Sequence, residues 1–125
     1  MLADSNILIL AASTPDHPFQ EWLVRELPGV SVVTRVETLG YHRLRPLERL
    51  LLEETLGQLR HYGITGKTVD LAIALRQQRK MSLGDALIAA TCQEHRLTLA
   101  TQNSSDFSWI SGLTLFDPMA CITMP

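Results

Sequence analysis

The chain has 125 residues, enough for one domain with a hydrophobic core of its own and no need of staples. Hydrophobic residues make up 46% and charged residues 19%, the balance of an ordinary globular protein. The formal net charge of −2 speaks against a nucleic-acid binder, which is normally basic, and the apolar runs "ILILAA" (7–12) and "ALIAA" (86–90) fall far short of the ~20 residues that span a bilayer.

In chain order, "MLAD" reads as a short buried strand interrupted by Asp4, and "SNILILAAS" as the first helix. No basic segment precedes Asp4, so a signal peptide is not expected. "TPDHP" (14–18) is a turn. "FQEWLVREL" is helical, with Phe19, Leu23 and Leu27 four apart, and "PG" at 28–29 ends it. "VSVV" (30–33) has the β-branched character of a strand, after which "TRVETLGYHRL" turns helical. From Pro46, "PLERLLLEETLGQLRHYG" reads as one long amphipathic helix with Gly63 as its stop. "ITGKT" is a short strand or turn, and "TVDLAIALRQQRK" and "SLGDALIAATCQEH" are helices. "LTLAT" (97–101) is a strand, "SSDFSWI" a loop or single helical turn, and "LTLFDP" (113–118) a last strand closed by Pro118. Strands alternating with helices over residues 1–125 imply one α/β domain, a three-layer α/β/α sandwich around a mostly parallel sheet. Cys92 and Cys121 form no CxxC pair and are too few for a disulfide scaffold, so the expected compartment is a reducing cytoplasm, with no membrane association.

Four acids share one placement. Asp4 closes the first strand; Glu37 and Asp106 follow later strands by a few residues; Asp85 sits in the first turn of its helix. Carboxyl ends of parallel strands line one edge, where ligands bind, so acids spread over about a hundred residues are expected to converge there. A second explanation exists for each. Thr34-x-x-Glu37, Ser82-x-x-Asp85 and Asn103-x-x-Asp106 all fit a capping box, and Asp4 fits an N-cap. Capping makes no prediction about convergence, and the two roles are compatible, because a helix N-terminus keeps a carboxylate ionised. Several carboxylates in one cleft need a counter-cation, and oxygen-only ligation suits Mg²⁺ or Mn²⁺. His17, His42, His61 and His95 lack the spacing of a zinc site. One or two hard ions among carboxylates point to phosphodiester hydrolysis.

The motifs are also those of a known family. "LADSN" resembles the opening Asp-Thr-Asn or Asp-Ser-Asn of PIN-domain ribonucleases, and "TRVETLGY" resembles the segment of their second acid. "MSLGDALIAATCQEHRLTLATQNSSDF" is similar to the signature of the VapC-type toxins, Leu-Ser-x-x-Asp-Ala-Leu-Ile-Ala-Ala-Thr continuing to Thr-Arg-Asn-x-x-Asp-Phe. "ISGLTLFDP" matches the usual last strand. The resemblance spans the chain in order and is most specific over 81–107. It implies a PIN-like fold and an Mg²⁺- or Mn²⁺-dependent endoribonuclease, a toxin held inactive by a cognate antitoxin and usually homodimeric. Asp4, Glu37 and Asp85 take the positions of the family's core metal-binding acids. The fourth position alternates in the family between those of Asn103 and Asp106, and here Asp106 carries the charge. Asn6 matches a site-orienting Asn, Ser5 and Ser82 are expected to donate hydrogen bonds around the acids, and Asn103 to hydrogen-bond a metal-bound water. Gln102 stands where Arg is common, which removes one phosphate contact.

The charge objection then weakens. Four of the 13 acids lie in this set, so outside it 11 lysines and arginines face nine. Arg35 and Arg43, with Arg45 and Arg49, form one basic group; Arg79 and Lys80, with Arg76, form another. Either can hold RNA phosphates or simply be a solvated face. Trp22, Trp109 and Phe107 are expected in the core, and the leucines from Leu44 to Leu59 are core with a surplus for a partner surface. Two rivals remain: a degenerate fold that only binds a partner, disfavoured by the intact acids, and an aspartyl phosphotransferase, disfavoured because position 6 is Asn rather than the second Asp of Asp-x-Asp.

Overall fold

Two strands of two residues each decide the architecture. β1 (Leu2–Ala3) and β4 (Leu99–Ala100) pair in parallel, Leu2 with Leu99 and Ala3 with Ala100. Successive strand side chains point to opposite faces. Leu2 and Leu99 therefore enter one core while Ala3 and Ala100 enter the other. The structure is a computed structural model that describes residues 1–123, with side chains to Ala120. β4 also pairs in parallel with β5 (Leu115–Phe116), and β2 (Val30–Ser31) with β3 (His61–Tyr62). A parallel bridge from Leu2 to Gly29 sets β2 beside β1. Tyr62 packs over Gly29 so closely that a Cβ there would lie 2.5 Å from the ring, so only glycine fits.

Helices cover both faces. On the alanine side lie α1 (Ser5–Ser13), α2 (Pro18–Glu26) and α4 (Pro46–Gly57), sharing a core that includes Ile7, Leu8, Phe19, Trp22, Leu52 and Leu56. On the leucine side lie α5 (Gly66–Gln78), α6 (Leu83–His95) and α7 (Ser104–Phe107), around Leu75, Ile88, Ala89 and Phe107. α3 (Val32–Leu39) touches helices of both layers, and α8 (Pro118–Thr123) packs on α2. This is the expected α/β/α sandwich with a parallel sheet. Among the described residues no helix is long and apolar enough to cross a membrane. Cys92 is a buried free thiol, its pKa pushed up to about 12 by burial. Cys121 falls outside the described side chains.

Several expected boundaries move, each for a local reason. The strand expected over 30–33 ends at Ser31, whose hydroxyl accepts the Val33 N–H at 3.0 Å and so starts α3 two residues early. Thr34 is therefore inside the helix and buried, not its cap. α3 closes at Leu39 with Gly40 as cap, rather than running on to Leu44. The long helix expected to reach Gly63 stops at Gly57, and His61–Tyr62 become β3 instead. "ITGKT" forms no strand; Thr65 caps α5, its hydroxyl accepting the Thr68 N–H. α8, after Pro118, was not expected at all.

Trp22 is 1% exposed and stacks near Phe116, with ring centroids 6.4 Å apart. Trp22→Ala should lower stability by about 3–5 kcal/mol in urea denaturation, as large core aromatics do when truncated.

Candidate active site

The strand register places the first functional pair. Asp4 follows β1 and Thr101 follows β4, so the pairing of Ala3 with Ala100 sets them side by side at the carboxyl edge of the sheet. Thr101 Oγ1 donates to Asp4 Oδ2 at 2.9 Å and accepts the Asn103 N–H at 3.0 Å. Ser5 N–H donates to Asp4 Oδ1 at 2.8 Å. Asp4 is only 4% exposed. Burial raises its pKa above 3.8; the bonds from Thr101 and Ser5 oppose the rise, and the negative charges of Asp85 and Glu37 add to it.

α3 delivers the second acid. Ser5 Oγ donates to Glu37 Oε1 at 2.8 Å and lies 2.9 Å from Thr34 Oγ1. A hydroxyl has one proton, so with Ser5 donating to Glu37, Thr34 donates to Ser5. The relay Thr34–Ser5–Glu37 ties α3 to the first turn of α1. The carboxylate of Glu37 also lies against Gly84 of α6, where a Cβ would stand 2.6 Å from Oε2.

α6 carries the third acid. Ser82 caps it, its hydroxyl accepting the Asp85 N–H at 3.1 Å. The reciprocal half of the capping box, Asp85 carboxylate to N-cap N–H, does not form, unlike in α4, where the Glu48 carboxylate accepts it, and α5, where the Thr68 hydroxyl does. Asp85 is half-buried, and burial raises its pKa; a hydrogen bond from Ser82 opposes this, and Asp106 and Glu37 add repulsion. Asp106, exposed on α7, acts on Asp85 and is not among the charges acting on Asp4.

Asp4, Glu37 and Asp85 thus lie within one another's fields, with Asp106 beyond Asp85. Among the described residues the ion pairs join Arg25 to Glu26, Arg45 to Glu48, Arg49 to Glu53 and His95 to Glu94, and none involves these four acids. Nor do three acidic, imidazole or thiol groups among the described residues close tightly enough to enclose an ion as they stand. Asp4 has both oxygens engaged by protein donors, and like charges with nothing between them keep apart. Asn6 is exposed on α1, and Asn103 is the half-buried N-cap of α7 without a side-chain capping bond.

Beside Asp85 opens a cleft of about 580 Å³ whose walls include Arg76, Arg79, Lys80, Asp106 and Trp109. The other basic group is dispersed: Arg35 and Arg43 are exposed and do not line this cleft, while Arg45 and Arg49 hold Glu48 and Glu53. Three contributors lie within the quoted motifs but receive no part in the site from them: Thr101, Thr34 and Gly84. The parallel of "LAD" (2–4) with "LAT" (99–101) was the available signal for Thr101, because equal strands in register leave their next residues adjacent.

The PIN domain family model matches residues 1–112. No curated protein sequence matches the chain. Among solved structures, a chain of a toxin–antitoxin complex from Klebsiella pneumoniae is 31% identical, with a TM-score of 0.74, covering 94% of this chain and 96% of that one. DNA-bound VapBC from Salmonella typhimurium superimposes with a TM-score of 0.79 at 18% identity, covering 93% and 96%. FitAcB from Neisseria gonorrhoeae gives 0.73 at 23%, covering 94% and 97%. The last two likenesses are of fold.

A carboxyl group whose pKa is raised on folding favours the folded state while protonated, and that contribution fades as pH rises through the raised value. In metal-free buffer, Asp85→Asn should therefore gain stability over the parent as pH climbs above about 4, since Asn keeps the backbone cap and loses the charge. Urea melts at several pH values in EDTA check this. A variant less stable by the same amount at every pH would make Asp85 a helix-capping residue alone.

Proposed function

The chain belongs to the PIN-domain family, and from that premise we propose that it is an Mg²⁺- or Mn²⁺-dependent endoribonuclease, the toxin of a toxin–antitoxin pair. One observation carries the reading: Asp4 is buried without a counter-charge among the described residues, in the field of two more carboxylates. A structural acid in that position would have a cationic partner or be replaced by Asn, whereas a divalent cation neutralises all three at once. PIN nucleases generally use divalent metal ions, and the donor set is oxygen throughout, as Mg²⁺ and Mn²⁺ prefer. Mg²⁺ keeps several waters and needs one or two carboxylates directly, so the open arrangement fits it without a closed cage.

Asp4 and Asp85 are assigned as ligands, with Glu37 and Asp106 completing the negative field. A divalent ion bound there supplies Lewis acidity toward a phosphoryl oxygen and lowers the pKa of water. The remaining work falls to the chain. Thr101 and Ser5 fix the Asp4 carboxylate, Ser5 also fixes Glu37, and Asn103 anchors Thr101 through its N–H. Asn6 and Ser82 stand in the first turns of α1 and next to α6, close to the acids in sequence. Arg79 and Lys80 hold phosphates across the cleft, and Arg35 and Arg43 make outer contacts with the RNA. The relatives solved as toxin–antitoxin complexes support a small antitoxin as partner. Leu47 and Leu50 on α4 are 67% and 63% exposed and offer apolar surface to it or to a second copy in a homodimer.

Incubation of the purified protein with RNA and Mg²⁺ should release fragments, and EDTA should stop it. Asp4→Asn should reduce cleavage by at least about 100-fold with the fold intact. Full activity in that variant would remove Asp4 from the reaction. Mn²⁺ should raise the melting temperature of the parent, by the equivalent of about 2.7 kcal/mol at a hundred times its Kd, and should do little for Asp85→Asn.

Gly84→Ala tests the approach of Glu37 to α6. Alanine is the better helix former by up to about 1 kcal/mol, so stability should hold or rise. The displaced Glu37 carboxylate should cost about 10–100-fold in activity, the usual effect of disturbing the groups around a metal site. Unchanged turnover would free Glu37 of any role.

A further inference from the structure

Resting on the ribonuclease reading, we infer that Trp109 is a stacking surface for an unpaired RNA base, with Arg79 beside it as phosphate clamp. Trp109 was expected in the core, and only part of it is there. One side packs against the cluster around Phe107 and Ile110. The ring is otherwise half-buried and forms a wall of the cleft that holds Asp85 and Asp106. By contrast Trp22, the second of the chain's two tryptophans, is fully enclosed.

Three features suit Trp109 to a base. Its indole N–H donates to the Asp106 main-chain oxygen at 3.0 Å, so the ring is held on the turn that carries the fourth acid. A fixed ring loses little freedom when a base stacks on it. The Arg79 guanidinium lies over the ring face, 5.6 Å from its centroid, and takes part in none of the ion pairs among the described residues, so a base would enter between indole and guanidinium as the long Arg79 side chain shifts outward. Its charge is therefore available in the cleft, next to an aromatic face and close to Arg76 and Lys80. Aromatic faces with neighbouring guanidinium groups are how unstacked bases and their phosphates are held, and bases are free to stack in this way only where the strand is single. Cations, indole and acids line the same cleft, so a nucleotide held by the first two would lie beside the acids.

The test is cleavage of a single-stranded RNA in Mg²⁺ by the parent, Trp109→Leu, Trp109→Phe and Arg79→Gln. Trp109→Leu should raise KM by roughly 5- to 150-fold, the worth of one base–aromatic stack, with kcat changed far less. Trp109→Phe keeps an aromatic face and should restore most of the loss. Arg79→Gln should raise KM for the RNA as well. Because Trp109→Leu also touches the core, a second measurement leaves the residue in place. In Asp4→Asn protein with Mg²⁺, single-stranded RNA should quench Trp109 emission, while a ribose-phosphate oligomer lacking bases should bind without quenching. An RNA-cleaving parent whose KM is indifferent to Trp109→Leu, or an abasic oligomer that quenches as well as RNA does, would overturn the stacking role and leave the ribonuclease standing. A parent that neither binds nor cuts RNA would overturn both.

Discussion

A carboxylate placed out of water with no cation beside it is costly, and among the described residues Asp4 is in that position at the end of the first strand. Two donors, the Ser5 N–H and the Thr101 hydroxyl, fix both of its oxygens and lower the cost without cancelling it. Much of the surrounding construction follows from that constraint. The Thr101 donor is in reach because β1 and β4 run parallel in register. Ser5, held to Asp4 through its N–H, uses its hydroxyl to carry the same network to Thr34 and Glu37. α6 is brought close because Gly84 leaves room for the Glu37 carboxylate. The chain is thus arranged around a local electrostatic strain that a cation would relieve, and strain of this kind is characteristic of a working site rather than of a framework.

The placement of the acids also bears on the apparent conflict between the net charge and the proposed handling of RNA. A net charge of −2 is unfavourable for a protein that handles RNA, yet the negative charge is not evenly spread. Asp4, Glu37 and Asp85 are grouped, with Asp106 next to Asp85, whereas Arg76, Arg79 and Lys80 stand along the adjoining cleft. Cations and acids thus share one cleft. On the proposed ribonuclease reading, the acids would repel an RNA strand until a divalent ion neutralised them, so metal occupancy and RNA binding would be coupled through simple electrostatics.

Parts of this arrangement are legible in the sequence because they are local. "SLGD" announces a helix start through Ser82, and the structure uses that hydroxyl as written. The strand–acid junction in "LAD" and the α/β alternation follow from patterning alone. What escapes is decided by partners distant in sequence. His61 and Tyr62 lie in a leucine-rich helical pattern and become a strand because β2 lies alongside. Thr34 has the spacing of a cap with Glu37, but Ser31 caps first and turns Thr34 inward. Gly84 looks like a mild flaw in a helix until Glu37, 47 residues away in the chain, is seen against it. Trp109 is divided between core and cleft, a distinction that composition cannot draw.

The account turns on whether the strained carboxylates hold a cation. Crystals of the protein soaked in Mn²⁺ and measured at the manganese absorption edge would answer directly. The expected result is an anomalous peak within coordination distance, roughly 2.0–2.3 Å, of carboxylate oxygens of Asp4 or Asp85. Manganese bound only at surface acids such as Glu53 or Asp70, with the Asp4 cleft holding none, would contradict it.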